Sequence, residues 1–565
     1  MGTNITCYLL NHLKTDTLKE MKTLLYLLLL FVFGASLVTT ASGQTNAPLG
    51  WQSVGEGIEY QKFRLTNPVP VDVFVARMER DNPAVTIESS LAQGRISGGV
   101  ETVSGMAARY DGALNFWGPP STPVSPTWGA TNQVVVAING FYFGGDVEPP
   151  GVPWSGQIHS TWYTKRYSDT ESLSGFVWNT DRSAFVGECI SHPEDKQYVY
   201  NTTSGGYLYL DGLNRSREAD ELILYTPQYD RDTGTGSGAE VLIEMEHPTS
   251  ISVFSNMPYG VVRQVRNYGN STPIPFNHVV LSGSGSRADD LRNNFQVGDT
   301  VGIAQRVKDC IQFPNHNWYQ TYAGVGGQFY FLRDGVIYPY SDKGEAVVRD
   351  PRTAIAYNEQ YIFFIVADGR NPGISEGMNV AEMAEFAKNT LGATHGIMQD
   401  GGGSSTMVIN GQVVNNTYCN NVYCTPKIYL PLVIKSGSST AAQIAHPPEP
   451  LTAWDAQALQ RLVANGMMMV IVQPQQTSPQ PHDPGDPVTT VGTATILLGP
   501  GNNYAALDTI DGNGVILASS NNLDGVYATD HYWWLVDFGT IEGWVAEEQI
   551  APQIKLTKSR FEKAH

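Results

Sequence analysis

A sheet-rich chain with many tight turns is what this sequence predicts, on three observations. Aromatic residues make up 10% of it, alongside 57 glycines and 33 prolines, a mixture that supplies turns and pleated surface more readily than a helical bundle. Short apolar runs with strand character recur from Trp51 to about Lys435, among them Val71–Ala76, Val134–Ile138 and Tyr361–Ala367, with turn residues between them. One helix is well marked: Asn379 can cap it, and Glu382 three residues on completes a capping box. Val380, Met383, Ala384, Ala387 and Leu391 then form one apolar stripe, and Gly392 suits the position past its end. Its carboxylates Glu382 and Glu385 read as a solvated face.

The 565 residues exceed one core and predict two or three units. Lys22, the apolar run Leu24–Phe33 and the small residues through Gly43 have the layout of a signal peptide over 1–43, with Met21 the expected start. The run is short for a span of roughly 20 apolar residues, so no stable membrane span is expected after cleavage; an uncleaved anchor is the alternative. The expected location is secreted or cell envelope. The main domain is expected over 48–436. Small polar residues and then Pro474, Pro479, Pro481, Pro484 and Pro487 mark 437–487 as a linker, enclosing a short segment at Trp454–Val472 that reads as a helix leading into an apolar strand. A small β domain is expected over 488–552, followed by a tail, 553–565.

The net charge of −19 argues against nucleic acid as a partner, although local cations and backbone N–H groups can still hold a phosphate. A start at Met21 removes Cys7 and leaves Cys189, Cys310, Cys419 and Cys424, an even number that predicts disulfides in an exported chain. Four cysteines allow three pairings. The short loop favours Cys419–Cys424, leaving Cys189–Cys310. Metal ligation by Cys419 and Cys424 is the weaker reading, since no second closely spaced pair accompanies them. Asn201, Asn214 and Asn270 match the glycosylation pattern and are read as chance matches.

The sharpest local feature is Asp400-Gly401-Gly402-Gly403-Ser404-Ser405-Thr406. Three glycines after a carboxylate fill no volume; they make sense where backbone approaches something closely, takes positive φ, or offers N–H groups to an anion. A strand at Met407–Ile409, a turn at Asn410-Gly411 and a return strand at Gln412–Val414 follow. Asp368-Gly369-Arg370 closes the strand Tyr361–Ala367, and Arg352-Thr353-Ala354 opens the segment before it; an arginine fork matches phosphate. Asn139-Gly140 ends the strand Val134–Ile138, where the asparagine could serve as a sugar ligand. His395 reads as packing, and no paired-histidine metal motif is present.

In order and context, Ala137–Phe143 (AINGFYF), Arg352–Ala356 (RTAIA), Val366–Arg370 (VADGR), the helix, and Met398–Thr406 (MQDGGGSST) resemble the phosphodiester glycosidase family, which includes the enzyme that uncovers mannose 6-phosphate by removing N-acetylglucosamine. The resemblance implies an α+β fold, a twisted, mostly antiparallel sheet with packed helices. It implies hydrolysis of the glycosidic bond of a sugar-phosphate diester, or of a phosphate-containing glycan, to free sugar and phosphomonoester. On the matching positions, Asp400 and Asp368 are the expected catalytic carboxylates. Asn139, Gly140, Arg352, Thr353, Arg370, Gly401, Gly402, Gly403 and Ser404 are the expected substrate and phosphate ligands. No cofactor is expected; a calcium or magnesium ion shared by Asp368 and Asp400 is the minority alternative. The 488–552 segment resembles a bacterial SH3-like barrel through Gly499–Tyr504, Trp533-Trp534 and Gly543-Trp544-Val545, which implies a cell-wall ligand. The rival readings are a carbohydrate- or wall-binding protein without catalysis, and a metal-dependent phosphodiesterase.

Overall fold

The computed structural model describes residues 50–118, 127–144, 151–167, 173–248, 259–268, 271–311, 315–338, 340, 344–419, 459–519 and 523–553. The expected α+β fold, a twisted, mostly antiparallel sheet with packed helices, is corrected: strand outweighs helix 46% to 11%, and the strands of the described residues lie in four sheets, which are antiparallel as expected apart from one short parallel pair. The physical reason is the density of strands buried on both faces. In Tyr361–Ala367, Ile362, Phe364 and Val366 face one core while Phe363, Ile365 and Ala367 face another. Such strands need cover on each side, and here another sheet covers the Ile362 face while the single helix Val380–Asn389 covers the other.

The first sheet has twelve strands. Its spine runs Gln52–Gly55, Ile58–Leu65, Val71–Glu79, Tyr361–Ala367, Arg352–Tyr357, His395–Met398 and Thr321–Arg333, each antiparallel to the next. The third sheet runs Gln412–Val413, Met407–Ile409, Ala130–Asn139, Asn465–Pro474 and Val85–Leu91, also antiparallel. These two sheets share one core, including Phe74, Ile87, Val136, Ile138, Phe364, Met467 and Met469. The helices among the described residues are α1 (Val103–Tyr110), α2 (Ser286–Asn294), α3 (Gly344–Val347) and α4 (Val380–Asn389). Helix α4 covers the outer face of the first sheet through Met383, Ala384 and Ala387; α1 covers that of the third through Met106 and Ala107.

The Asn465–Pro474 strand falls inside the expected linker of 437–487. Its side chains alternate, Met467, Met469 and Ile471 to the shared core and Met468 and Val470 toward α1, so it is an inner strand of the sandwich. The apolar strand expected near its start is present; the residues before 459 lie outside the described ones.

Helix α4 forms as its sequence predicts. The Asn379 side chain accepts from the Glu382 N–H at 2.8 Å, and the Glu382 carboxylate accepts from the Asn379 N–H at 3.0 Å. Gly392 turns the chain at φ +68°. Asn379→Ala is expected to cost about 1 kcal/mol, read as a lower urea midpoint with an unchanged slope.

The second sheet, eight strands between Gln197 and Gln305, packs against the outlying strands of the first through Ile158, Trp162, Val177, Val199, Leu224 and Val241. Cys189 and Cys310 are disulfide-bonded and bracket it in sequence. Cys419 is also disulfide-bonded, while Cys424 lies outside the described residues. Disulfides fit an exported protein, and no helix among the described residues is long and apolar enough to cross a membrane. Asn201 and Asn214 are buried and hydrogen-bonded, which removes them as glycan acceptors; Asn270 lies outside the described residues.

Residues 487–552 form an antiparallel sheet of eight short strands. Trp534, Val536 and Val545 fill its own core, while Trp533 and Trp544 turn outward. Those two pack on Leu114 and Trp128 of the sandwich and Phe276 of the second sheet.

Candidate active site

The loop Asp400–Thr406 carries the chain from the first sheet, at Met398, to the third, at Met407. Ladder register brings the other motifs to the same end: Arg352 is opposite Ala367, Ala354 opposite Met398, and Ile138 opposite Met407. Four motifs far apart in sequence therefore meet at one rim.

Asn139 holds this rim together. It is fully buried; its Nδ2 donates to the Asp400 carbonyl at 2.7 Å, and its Oδ1 accepts from Thr353 Oγ1 at 2.8 Å and from the Thr406 N–H at 3.2 Å. The Asp400 N–H in turn donates to the Gly140 carbonyl at 3.0 Å. Asn139 and Thr353, expected as substrate ligands, thus spend their polar groups on the loop. Gly140 is packed rather than open: a Cβ there would meet Asn465 Oδ1 at 2.6 Å.

The three glycines answer to closeness. A Cβ on Gly401 would lie 2.8 Å from the Pro351 carbonyl oxygen, one on Gly403 2.8 Å from that of Tyr418, and Gly402 sits at φ +59°. The Gly402 N–H donates to the Pro351 carbonyl and the Gly401 N–H to the Asp400 carboxylate, so neither is left over for a phosphate.

A cavity of about 430 Å³ opens over this loop. Tyr142, Glu345, Asp350, Arg352, Arg370, Asp400, the three glycines and Arg461 line it. Asp400 is 7% exposed, and burial lifts its carboxyl to about 6. The hydrogen bond from Ser404 Oγ (2.5 Å), the Arg461 guanidinium (Nη1 at 4.0 Å) and the Gly401 N–H pull against that rise, while the Glu345 charge adds to it. Arg352 is braced by three carbonyls: its Nε donates to Met378, its Nη2 to Glu345 and Val348. Arg370 forms a two-pronged pair with Asp350 and lies over the Tyr418 ring at 5.2 Å.

Asp368 does not line the cavity. Its Oδ1 accepts from Asn415 Nδ2 and its Oδ2 from the Asn416 N–H, both at 3.0 Å, and burial raises its carboxyl to about 6. It pins the chain that follows the hairpin. With both oxygens engaged there, it is not arranged to share a cation with Asp400, and the described residues hold no cluster of three acidic, histidine or cysteine side chains suited to a metal. His395 stacks on Tyr357 at 4.7 Å and is likewise outside the cavity.

Glu345, Arg461 and Asp350, the partner of Arg370, escaped the sequence reading. Glu345, which accepts from Tyr142 Oη at 3.2 Å, lines the cavity with Asp400, where Asp368 does not, and its charge is felt at the Asp400 carboxyl. Arg461, whose guanidinium also lies 5.5 Å from the centre of the Phe143 ring, comes from the segment leading into Asn465–Pro474. The signal for Arg461 was its place four residues ahead of an apolar strand; nothing local marked it as part of a site.

The model of the phosphodiester glycosidase family matches residues 259–428. Several solved structures show likeness, among them these three. A hypothetical protein from Synechocystis has 15% identity and a TM-score of 0.44, over 74% of this chain and 62% of that one, less than two thirds of its length. A candidate exported protein from Burkholderia pseudomallei has 15% identity and a TM-score of 0.42, over 72% and 74%. The zebrafish N-acetylglucosamine-1-phosphodiester alpha-N-acetylglucosaminidase catalytic domain, auto-inhibited by its pro-peptide, has 14% identity and a TM-score of 0.32, over 65% and 78%. No curated protein matches the chain.

Proposed function

We propose that this chain, whose segment bearing Arg352 and Asp400 matches the phosphodiester glycosidase family, is a hydrolase that cleaves the glycosidic bond of a sugar-phosphate diester. The observation that carries the reading is the cavity itself, whose wall holds Arg352, Arg370 and Arg461 together with a buried carboxyl lifted to about 6, Arg461 lying nearest to it at 4.0 Å. The departing group is a phosphomonoester, already a good leaving group. It needs its charge neutralised more than it needs a proton, and the arginines supply that. Asp400 then works in its ionised form, taking a proton from the attacking water or stabilising positive charge at the anomeric carbon. Ser404 and the Gly401 N–H hold it in place. The cell-wall role of residues 488–552 is part of the same proposal: a sheet docked beside a glycan-cleaving domain would keep it on a polymeric substrate.

Oxygen-18 water tests the bond broken. Label in the released sugar supports cleavage at carbon; label in the phosphate shows attack at phosphorus and overturns the reading. The pH profile tests the role of Asp400. Because the working form is ionised, kcat/KM is expected to rise with pH through about 6 and then level. A profile that falls through that value would make Asp400 a proton donor.

A further inference from the structure

A second cavity, of about 450 Å³, lies where three parts of the chain meet. The sandwich contributes Arg95, Arg109, Tyr110 and His159; the second sheet contributes Gln228 and Ile274; the C-terminal sheet contributes the 498–505 loop. Its charged groups are already paired. Arg109 donates through Nε and Nη2 to the two oxygens of Glu101, at 3.1 and 2.9 Å, and Arg95 Nη1 to Asp230 at 2.9 Å. An anionic ligand would have to displace those carboxylates, and an apolar one would strand them.

The paired groups do present planar donors and acceptors fixed in orientation. His159 adds another: its Nδ1 lies 2.8 Å from the Ser89 carbonyl, which can only accept, and 3.2 Å from the fully buried Glu88. The ring therefore carries a proton on Nδ1, and Glu88 beside it favours the protonated ring, in which Nε2 is a donor as well. Asn503, also in the wall, has a buried Oδ1 with no hydrogen-bond partner. Leu114, Ile274, Leu498 and Tyr504 supply apolar and aromatic surface beside these groups. A ligand that satisfies both is uncharged, rich in hydroxyls at its edge and carries C–H groups on its faces.

We infer that this cavity binds a neutral pyranose unit of a glycan chain. The site needs all three parts of the chain, and it does not rest on the hydrolase reading, since it uses no residue of the first cavity. Calorimetric titration of the full chain with short neutral oligomers of N-acetylglucosamine, glucose and mannose tests it. Wild type and Asp400→Asn are expected to bind one of the series with equal Kd. Asn503→Ala, and separately Asn502→Ala, whose side chain is at the exposed edge of the loop, are expected to weaken it about tenfold, the value of one hydrogen bond, with unchanged thermal midpoints. Binding to none of the oligomers would overturn the inference. So would binding lost in Asp400→Asn but kept in both asparagine variants, which would place the sugar in the first cavity. Absence of hydrolytic activity would leave the expected titration unchanged.

Discussion

Asp400→Asn is expected to lower sugar release by a factor on the order of 10²–10⁴, the range that a positioned acid–base group contributes, while making the protein more stable at neutral pH. The second half follows from the sign of the shift. The folded-state value of about 6 lies above the ordinary 3.8, so the fold favours the neutral carboxyl. The cost of ionising it is absent below the unfolded value, grows as pH rises between the two, and is constant above the folded one. At about 1.4 kcal/mol per pH unit the ceiling is ~3 kcal/mol. An amide, always neutral, escapes that cost. Urea midpoints of the two proteins should therefore coincide near pH ~4 and separate, with the variant ahead, near pH ~8. A variant that is less stable at both would show that Asp400 is structural, and its lost activity would then say nothing of catalysis.

A chain ended at residue 436 is expected not to fold. Composition alone makes that a natural place to cut, yet the cut removes Asn465–Pro474 from between Ala130–Asn139 and Val85–Leu91. Six apolar side chains from Met467 to Val472 are buried in that strand. Together they represent ~9–18 kcal/mol of burial, as large as the ~5–15 kcal/mol net stability of a typical domain. The cut also removes Arg461 from the cavity and Asn465 from its contact with Gly140. Far-ultraviolet circular dichroism and a denaturation curve decide it. A cooperative transition in the truncated chain would show that the strand is dispensable.

What could be read ahead of the structure was local. The cap at Asn379, the turn at Asn410-Gly411 (φ +48° and +77°) and the need for glycine at 401–403 are each written in a few neighbouring residues. Roles that depend on distant partners were not. Asn139 and Asp368 belong to the right motifs, but sequence does not show that each is consumed in holding backbone. Arg461 has no motif at all. The sheet arrangement was misjudged for the same reason: a strand such as Tyr361–Ala367 looks alike whether its second face meets a helix or another sheet.

Phe276 touches Trp128 of the sandwich at 5.3 Å and Trp544 of the C-terminal sheet at 5.7 Å. The Cys189–Cys310 bond ties the Ala184–Ile190 strand of the first sheet to the segment that follows Thr300–Gln305 of the second, and Phe276 lies just ahead of the second sheet's strand His278–Gly283. In connectivity terms the three parts form a closed cycle rather than a string. Each contact in a cycle is made between partners that the other two links already hold close, so it forms at high effective concentration and gives way only when a second link does. A protein built this way loses its parts together, and one ring at position 276 is where the cycle closes.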